Sequence, residues 1–340
     1  MTINRLEEKV LKALLTDSRT PFSKIAQQNG VTSNTIRTAY KKMQESGIIT
    51  GSTSQIDPRY FGYNCIAFLL IQTAIKNEKQ VIRFLAETHE VISIMPSFGK
   101  YNITFFVCLK NIDQLTFTIA NVRKNPHVIT LESLVLINAI KIDRPENLIM
   151  RLSDENHRRE DNKEPKEGHV LNNAECHMES NSMSSIEMDE TDIQIVKELV
   201  NNSRISFRRL AKKIGISTQS VIRRYSKLKD TVIPHSSITI DLTKLGYVGT
   251  AVFLVNTSQQ MDCDEILKQI LKIQNIIVAT RLFGKSDIFL AAPILNIEQL
   301  FQLKKEIGSV PTVQQIELLI GKPMFRWPVN LFENVVEHRK

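Results

Sequence analysis

The feature that most constrains the fold of this chain is an internal repeat. Residues 6–142 recur, with a slip of one residue, as residues 193–325. The matching segments include Ser18–Ala26 with Ser203–Ala211, Phe98–Lys100 with Phe283–Lys285, and Glu132 with Glu317. A spacing of about 185 residues is far longer than the repeat unit of a solenoid. The sequence therefore predicts a duplicated module, copy one and copy two, and each copy is expected to contribute to function.

The composition is that of an ordinary globular protein. A chain of 340 residues with 42% hydrophobic residues is long enough to bury two or more cores. No apolar run reaches the ~18 residues of a membrane span, and residues 1–10 lack the apolar core of a signal peptide. The four cysteines form no C-x-x-C pair. We expect a cytoplasmic protein with no membrane contact, no metal site and no cofactor.

The charge differs sharply from one segment to the next. The net charge is +7 over residues 1–142, −5 over residues 143–187 and +6 over residues 188–340. Basic modules bind phosphate polymers or acidic surfaces. Residues 143–187 lack periodic apolar positions and are expected to form an acidic, disordered linker. The linker contains four residues of types that bind metals, His157, His169, Cys176 and His177. Their spacing is irregular, so we expect no metal site there.

The start of each copy predicts three short helices. Apolar residues recur at helical spacing in the first helix of copy one, as at Leu6, Val10 and Leu14. Gly30 and its counterpart Gly215 suit the tight turn after the second helix. The third helix has a good cap in either copy, Thr32 or Ser217. This pattern is typical of a helix-turn-helix, which we place at residues 1–50 and 188–234.

The outer face of each third helix carries amide, hydroxyl and cationic side chains. In copy one these are Ser33, Asn34, Thr35, Arg37, Thr38, Lys41 and Lys42. In copy two they are Thr218, Gln219, Ser220, Arg223, Arg224 and Lys227. Such groups on a helix that enters the major groove read base edges and anchor phosphates. We predict that they bind double-stranded DNA; the alternative is a solvated basic face without a ligand.

The remainder of each copy predicts the strand and helix order β-α-β-β-α-β, the ferredoxin-like arrangement. These domains are placed at residues 51–142 and 235–327, followed by a tail at 328–340, so the predicted fold class is α+β. The two helices cover only one face of each sheet, and the other face needs a partner sheet. The residues expected on this open face are Phe68, Leu70, Phe105 and Val107 in copy one and Phe253 and Phe289 in copy two.

The linker is long enough to bring the two open faces together within one chain. We therefore expect an intrachain pseudo-dimer, with larger homo-oligomers assembled from it. The alternative is pairing between equivalent copies of different chains.

A helix-turn-helix joined through a predicted strand region to this α/β domain resembles the Lrp/AsnC family of transcriptional regulators. The motifs that carry the resemblance are Gly47–Gly51, Asp57–Tyr63 and Gly99–Asn102 in copy one and Asp241–Tyr247 and Gly284–Asp287 in copy two. The chain looks like a tandem member, whereas the usual family chain has a single copy. The resemblance implies a winged helix-turn-helix, DNA binding as a dimer, sheet-to-sheet pairing and a role in sequence-specific transcription regulation.

The resemblance also implies a place for a small effector, commonly an amino acid, near the turn between the second and third strands. The residues concerned are Gly99, Lys100, Asn102, Gly284, Lys285 and Asp287. An aspartate can hold an ammonium group as an ion pair, whereas an asparagine offers only a neutral acceptor. Amino-acid binding is therefore expected less in copy one, which has Asn102. The alternative is that Gly99 and Gly284 are simply turn glycines.

Two other classes of function remain open. Siroheme decarboxylases resemble the same two-part module, and they need His and Arg side chains to hold and protonate tetrapyrrole carboxylates. His89 and His127 have no counterparts in copy two, His235 has none in copy one, and Arg281 is the one cation expected near the pocket. We therefore expect no enzyme. An interaction protein without DNA binding is the third class, and the basic faces of both third helices argue against it.

Overall fold

The computed structural model describes residues 3–137, 186–258 and 262–330. Apart from residues 186 and 187, the predicted linker with its histidines and Cys176 lies outside the described residues, as does the tail beyond residue 330. Copy one consists of α1 Arg5–Thr16, α2 Phe22–Gln28, α3 Ser33–Glu45, β1 Ile49–Gln55, β2 Cys65–Thr73, α4 Glu78–Ala86, β3 Val91–Phe98, β4 Ile103–Leu109, α5 Ile112–Arg123 and β5 Val128–Leu136. Copy two consists of α6 Glu190–Asn201, α7 Phe207–Ile214, α8 Thr218–Leu228, β6 His235–Ile240, β7 Gly249–Thr257, α9 Cys263–Ile270, β8 Val278–Phe283, β9 Ile288–Ile294, α10 Ile297–Gly308 and β10 Val313–Gly321. The predicted α+β fold class is confirmed.

Local sequence signals fix the helix starts. Asn4 caps α1 by accepting the Leu6 and Glu7 N–H groups, and the Glu7 carboxylate accepts the Asn4 N–H in return. The predicted caps Thr32 and Ser217 begin α3 and α8, where each side chain accepts an N–H from the first turn. These caps satisfy donors that a helix start leaves without a partner.

The segment Asp57–Tyr63 is not a strand, contrary to the prediction. The Asp57 carboxylate accepts the Arg59 N–H and caps a short 3-10 turn, Pro58–Phe61, and Gly62 closes the turn at φ 84°. The same turn recurs at Leu242–Leu245 in copy two. A positive φ suits glycine, so the motif makes a corner after the strand rather than a strand itself.

The strands that precede these corners link the two copies. β1 and β6 form an antiparallel two-stranded ribbon, in which Ser54 lies opposite Ser236. Each helix-turn-helix packs against the ribbon strand from the other copy. The core of α1–α3 includes Ile238 and Ile240 of copy two, and Val200 of α6 accepts a hydrogen bond from Thr53 of β1 at 2.8 Å. The two helix-turn-helix units are therefore held together by the ribbon.

The two four-stranded sheets join edge to edge into a closed eight-stranded barrel, in the order β10-β3-β4-β2-β5-β8-β9-β7. The joints are reciprocal, because β3 of copy one pairs with β10 and β5 pairs with β8. Closure leaves no edge of these two four-stranded sheets open. The two copies thus pair within one chain.

The inter-sheet core differs in part from the prediction. Three of the six expected residues lie in it: Phe68, Leu70 and Phe289. The other three pack beneath the helices on the opposite faces: Phe105, Val107 and Phe253. The register explains the error. Phe68 lies opposite Phe106 rather than Phe105, and directly opposite residues share a sheet face while neighbours along a strand alternate.

No helix within the described ranges is long and apolar enough to cross a membrane.

Candidate nucleic-acid interface

The third helix of copy one, α3, presents its predicted face to solvent. Ile36, Ala39 and Met43 are buried and hold α3 against the other helices of its unit. All seven predicted residues are exposed: Ser33, Asn34, Thr35, Arg37, Thr38, Lys41 and Lys42. The helical period therefore sorts apolar from polar side chains as a recognition helix requires.

The third helix of copy two, α8, exposes a smaller set. Thr218, Gln219, Arg223 and Lys227 are exposed, and Ser220 is half-buried. Arg224 differs from the prediction, because its Nη1 lies 2.7 Å from both Asp189 Oδ2 and Asp192 Oδ1 at the start of α6. Hydrogen bonds to the Asp192 and Asp189 carboxylates raise the pKa of Arg224. Arg224 thus ties α8 to α6, whereas Thr218, Gln219, Arg223 and Lys227 remain exposed.

A lysine ties each recognition helix to the first helix of its unit. Lys42 Nζ lies 2.7 Å from Glu7 Oε1, and Lys227 Nζ lies 3.7 Å from Asp192 Oδ2. The two pairs are counterparts in the repeat. The lysine side chains are exposed whereas the two carboxylates are buried, so a DNA phosphate at the surface can approach either ammonium group.

Two features of the interface escaped the sequence analysis. The exposed surface of α7 carries four cations, Arg208, Arg209, Lys212 and Lys213. In a helix-turn-helix the helix before the recognition helix crosses the DNA backbone, so these cations suit phosphate. Ile222, 39% exposed, occupies the position that corresponds to Arg37. An alignment of the two copies at a spacing of 185 residues would have revealed both the extra cations of α7 and the replacement of Arg37 by Ile222.

The candidate effector glycines lie where the sheets meet. Gly99 has φ 145° and Gly284 has φ 142°. A Cβ on Gly99 would lie 2.8 Å from the Leu318 carbonyl oxygen, and one on Gly284 would lie 2.9 Å from Leu134 Cδ2. Both glycines are therefore required by backbone conformation and by close approach of the other copy, whatever else the turn does.

Asn102 and Asp287 hold strand ends together. Asn102 Oδ1 accepts the Thr73 N–H at 2.9 Å, and its Nδ2 donates to Glu78 Oε1 at 2.7 Å. Asp287 Oδ2 accepts the Thr257 N–H at 2.7 Å. The two counterparts differ in charge, but each accepts a backbone N–H at the end of a strand, β2 or β7.

The two candidate lysines converge on one carboxylate. Lys100 Nζ lies 3.4 Å and Lys285 Nζ 3.2 Å from Glu132 Oε1. Burial and the neighbouring Glu132 charge raise the pKa of Tyr101. Burial opposes the charged form of Glu132, but Tyr101 and the two lysines outweigh it and lower the pKa of Glu132. Glu317 Oε1 is buried without a hydrogen-bond partner among the described residues.

A cavity of about 100 Å³ lies between the two sheets. Its described lining is uncharged: Phe68, Ser93, Met95, Thr104, Phe105, Phe106, Thr250, Val252, Val278, Phe289, Ala291, Met324, Trp327 and Val329. Arg281 does not lie in it, contrary to expectation. Its Nη1 is 3.6 Å from Asp264 Oδ1 of α9, on the helix-covered face, because β8 alternates sides. Within the described ranges no three His, Cys, Asp or Glu side chains are grouped to hold a metal.

Comparisons with known proteins cover both copies. A model of the AsnC-type helix-turn-helix domain matches residues 188–229, and a model of a winged helix-turn-helix DNA-binding domain matches residues 3–50. The regulatory protein AsnC of Haemophilus influenzae is 34% identical over 119 residues, which cover 35% of this chain and 79% of AsnC. The transcriptional regulator FL11 of Pyrococcus horikoshii is 25% identical over 139 residues, 41% of this chain and 92% of FL11.

A solved structure matches the whole two-copy arrangement. The siroheme decarboxylase NirDL superposes on 98% of this chain and 97% of its own with a TM-score of 0.62 and 15% sequence identity. At this level of identity the likeness establishes a shared fold. The two sequence relatives, by contrast, are named as a regulatory protein and a transcriptional regulator.

Proposed function

The chain belongs to the Lrp/AsnC family of transcriptional regulators, and we propose that it is a sequence-specific regulator whose two copies read two unlike DNA half-sites. The observation that carries the proposal is the pair of exposed polar faces on α3 and α8, held in one frame by the β1–β6 ribbon. The basic charge of both copies supports it, since cations supply most of the sequence-independent affinity for DNA.

The proposed half-sites differ because the reading faces differ. Copy one offers Arg37 and Thr38 where copy two offers Ile222 and Arg223. An arginine reads guanine through its two acceptors, whereas an apolar side chain packs against the methyl group of thymine. A shift of the arginine by one position also moves its contact along the base pairs.

Selection of bound sites from random DNA tests this proposal, followed by gel-shift assays. We expect an asymmetric operator, and weaker binding when Arg37 and Lys41, or Arg223 and Arg224, are replaced by alanine. The slope of log affinity against log salt should flatten by about 0.9 for each DNA phosphate that no longer pairs with a cation. Strictly symmetric sites would refute the unlike half-sites. Double variants that both bind as the wild type does would refute the DNA interface.

The proposal includes an effector site at the lysine pair. The carboxylate of an amino acid pairs with Lys100 and Lys285, and its ammonium group takes the unpartnered Glu317 oxygen and Glu132. Asn102 and Asp287 are already hydrogen-bonded to strand ends. We therefore assign effector binding to the charged cluster of Lys100, Lys285, Glu132 and Glu317. A zwitterion fits this cluster because it presents both charges that the cluster can pair.

Calorimetry with the common amino acids tests the effector site. Lys285→Met should weaken binding of the effector, and Lys305→Met, which removes an exposed lysine of α10, should leave it unchanged. The same effector should alter the affinity for DNA. Absence of binding by every amino acid, or equal binding by both variants, would contradict the site.

We also propose that pseudo-dimers assemble into larger oligomers through contacts beside this turn. Phe98 and Phe283 are 80% and 74% exposed, and exposed aromatic side chains beside each joint suit contact between pseudo-dimers. Light scattering should show one-chain particles at nanomolar dilution and larger particles at higher concentration. Replacing both phenylalanines by serine should abolish the larger particles, and loss of the one-chain species in the wild type would contradict intrachain pairing.

The second candidate is a siroheme decarboxylase, which the shared fold brings forward. The cavity between the sheets favours it less, because its described lining lacks the His and Arg side chains that would hold and protonate tetrapyrrole carboxylates. Incubation with siroheme and analysis for loss of carboxyl groups separates the two functions. Turnover would overturn the regulator proposal in its present form.

A further inference from the structure

Two arginines connect the helix-turn-helix units directly. Arg19 follows α1 and Arg204 follows α6, and they are counterparts in the repeat. Arg19 Nη1 donates to the Ser203 carbonyl and, at 3.2 Å, to the Ile205 carbonyl of the other copy. Arg204 Nη1 donates to the Ser18 carbonyl. Each arginine therefore binds the backbone of the opposite unit.

Each guanidinium also lies on aromatic rings of the opposite unit. Arg19 Cζ is 4.1 Å from the Phe207 ring centroid and 5.3 Å from that of Tyr225 on α8. In the other direction, Arg204 Cζ is 4.7 Å from the Phe22 centroid and 5.2 Å from that of Tyr40 on α3. Tyr40 and Tyr225 belong to the two recognition helices, so each recognition helix contacts a cation from the other copy.

The junction between the arginines is shielded from water. The Ser18 and Ser203 hydroxyls are buried and lie 2.7 Å apart. Burial lowers the pKa of Arg19 and of Arg204, although an arginine starts so far above neutral pH that both stay charged. The attraction between a cation and a ring strengthens when water is excluded. A planar guanidinium also donates and stacks at once, which a lysine ammonium cannot do.

We propose that Arg19 and Arg204 form a crosswise clasp, in which each arginine is a positioning residue for the recognition helix of the other copy. The clasp fixes the spacing and relative orientation at which α3 and α8 meet DNA. The inference rests on the proposed DNA-binding function and names the residues that set its operator geometry.

The clasp predicts crossed effects on DNA reading. Base changes are introduced into one half-site at a time, and Arg37→Ala and Arg223→Ala first identify which half-site each copy reads. Arg19→Ala should then reduce discrimination at the half-site of copy two by roughly three- to tenfold, in the range of couplings carried through packed side chains. Arg204→Ala should do so at the half-site of copy one. In each variant, base discrimination at the half-site read by the copy that carries the substitution should change less.

Operator spacing gives the second readout. Insertion of one or two base pairs between the half-sites should weaken binding by the wild type more than binding by Arg19→Ala, because the variant holds its helices less rigidly. Arg19→Lys keeps the charge but not the stacked, forked geometry, so it should restore overall affinity more than discrimination. Arg5→Ala removes an exposed arginine of α1 and should retain the discrimination and spacing preference of the wild type.

The outcomes separate the clasp from the function on which it rests. Equal reductions at both half-sites, or an unchanged spacing penalty in Arg19→Ala and Arg19→Lys, would overturn the clasp while DNA binding stands. If Arg19→Ala unfolds at the assay temperature, Arg19→Lys and a cycle with Tyr225→Leu decide the question. Additive effects of Arg19→Lys and Tyr225→Leu would overturn the inference. A wild type that selects no DNA site would instead overturn the proposed function.

Discussion

The two copies share a scaffold and differ in the faces that we propose bind DNA. Their cores contain counterpart residues, such as Met43 and Leu228, because a closed barrel and a shared ribbon tolerate few changes in shape. Their exposed faces have diverged. The second helix of copy one has Lys24 as its one cation, whereas α7 of copy two has four. Duplication in one chain thus keeps the pseudo-dimer while it frees each reading face to change alone.

The largest difference expected between the copies is in phosphate anchoring. Replacing Arg208, Arg209 and Lys212 together by glutamine should flatten the slope of log affinity against log salt by about two to three units, since each phosphate contact contributes about 0.9. Lys24→Gln should change it by one unit at most. The measurement is DNA affinity over a salt series. Equal slopes for the two variants would remove the asymmetry.

The next effect concerns sequence preference. Exchanging Ile222 and Arg223 for arginine and threonine gives α8 the pair found at Arg37 and Thr38 of α3. Selection from random DNA should then return a more symmetric operator, with a change of roughly 1–3 kcal/mol in base discrimination at the half-site of copy two. The half-site of copy one is the internal control. An unchanged operator would show that these positions do not read bases.

Much of the architecture follows from local sequence signals. The caps Thr32 and Ser217 and the apolar period of α3 and α8 predict the recognition helices and their exposed faces. The β-α-β-β-α-β order follows from apolar runs in the same way. Such signals lie within one element, where the helical and strand periods apply directly.

The errors occur where distant elements meet. Phe105 was assigned to the wrong sheet face because strand register, which a single strand does not encode, decides which residues share a face. The ribbon strand β1 is rich in serine and threonine, and it is buried by pairing with β6 and by contact with α6 of copy two. Arg224 has an exposed position on a helical wheel, but the carboxylates of α6 pair with it. Contacts of this kind require the tertiary structure.

A pH effect separates the copies at the ribbon. His235 in β6 stands where copy one has Gly51, and burial lowers the pKa of its imidazole although the Leu15 backbone and the Asp17 charge act in the opposite direction. Below an unfolded pKa of about 6.5 the unfolded chain takes up a proton that the folded chain does not. Stability should therefore fall as pH falls from about 6.5 towards the folded pKa. Chemical unfolding of the wild type and of His235→Gln should show this slope only in the wild type; a slope shared by both would assign it to other groups.

The smallest effect should come from Arg224. It tests whether a difference between the copies affects stability or the proposed DNA-binding face. Copy one has the buried Ala39 at this position, whereas Arg224 is 25% exposed and paired with Asp189 and Asp192. Arg224→Ala should lower the free energy of unfolding by about 1 kcal/mol or less, because water screens the partly exposed guanidinium and the buried Asp192 carboxylate keeps Lys227 and the Asp189 N–H as partners. It should leave the salt slope of DNA binding unchanged, since the guanidinium is already paired with carboxylates. Arg223→Ala is the matched control one residue away, and it should do the reverse, flattening the slope or relaxing base preference with little change in stability. If Arg224→Ala flattened the slope as much as Arg223→Ala, Arg224 would leave α6 on binding, and the reading face of copy two would extend further round α8.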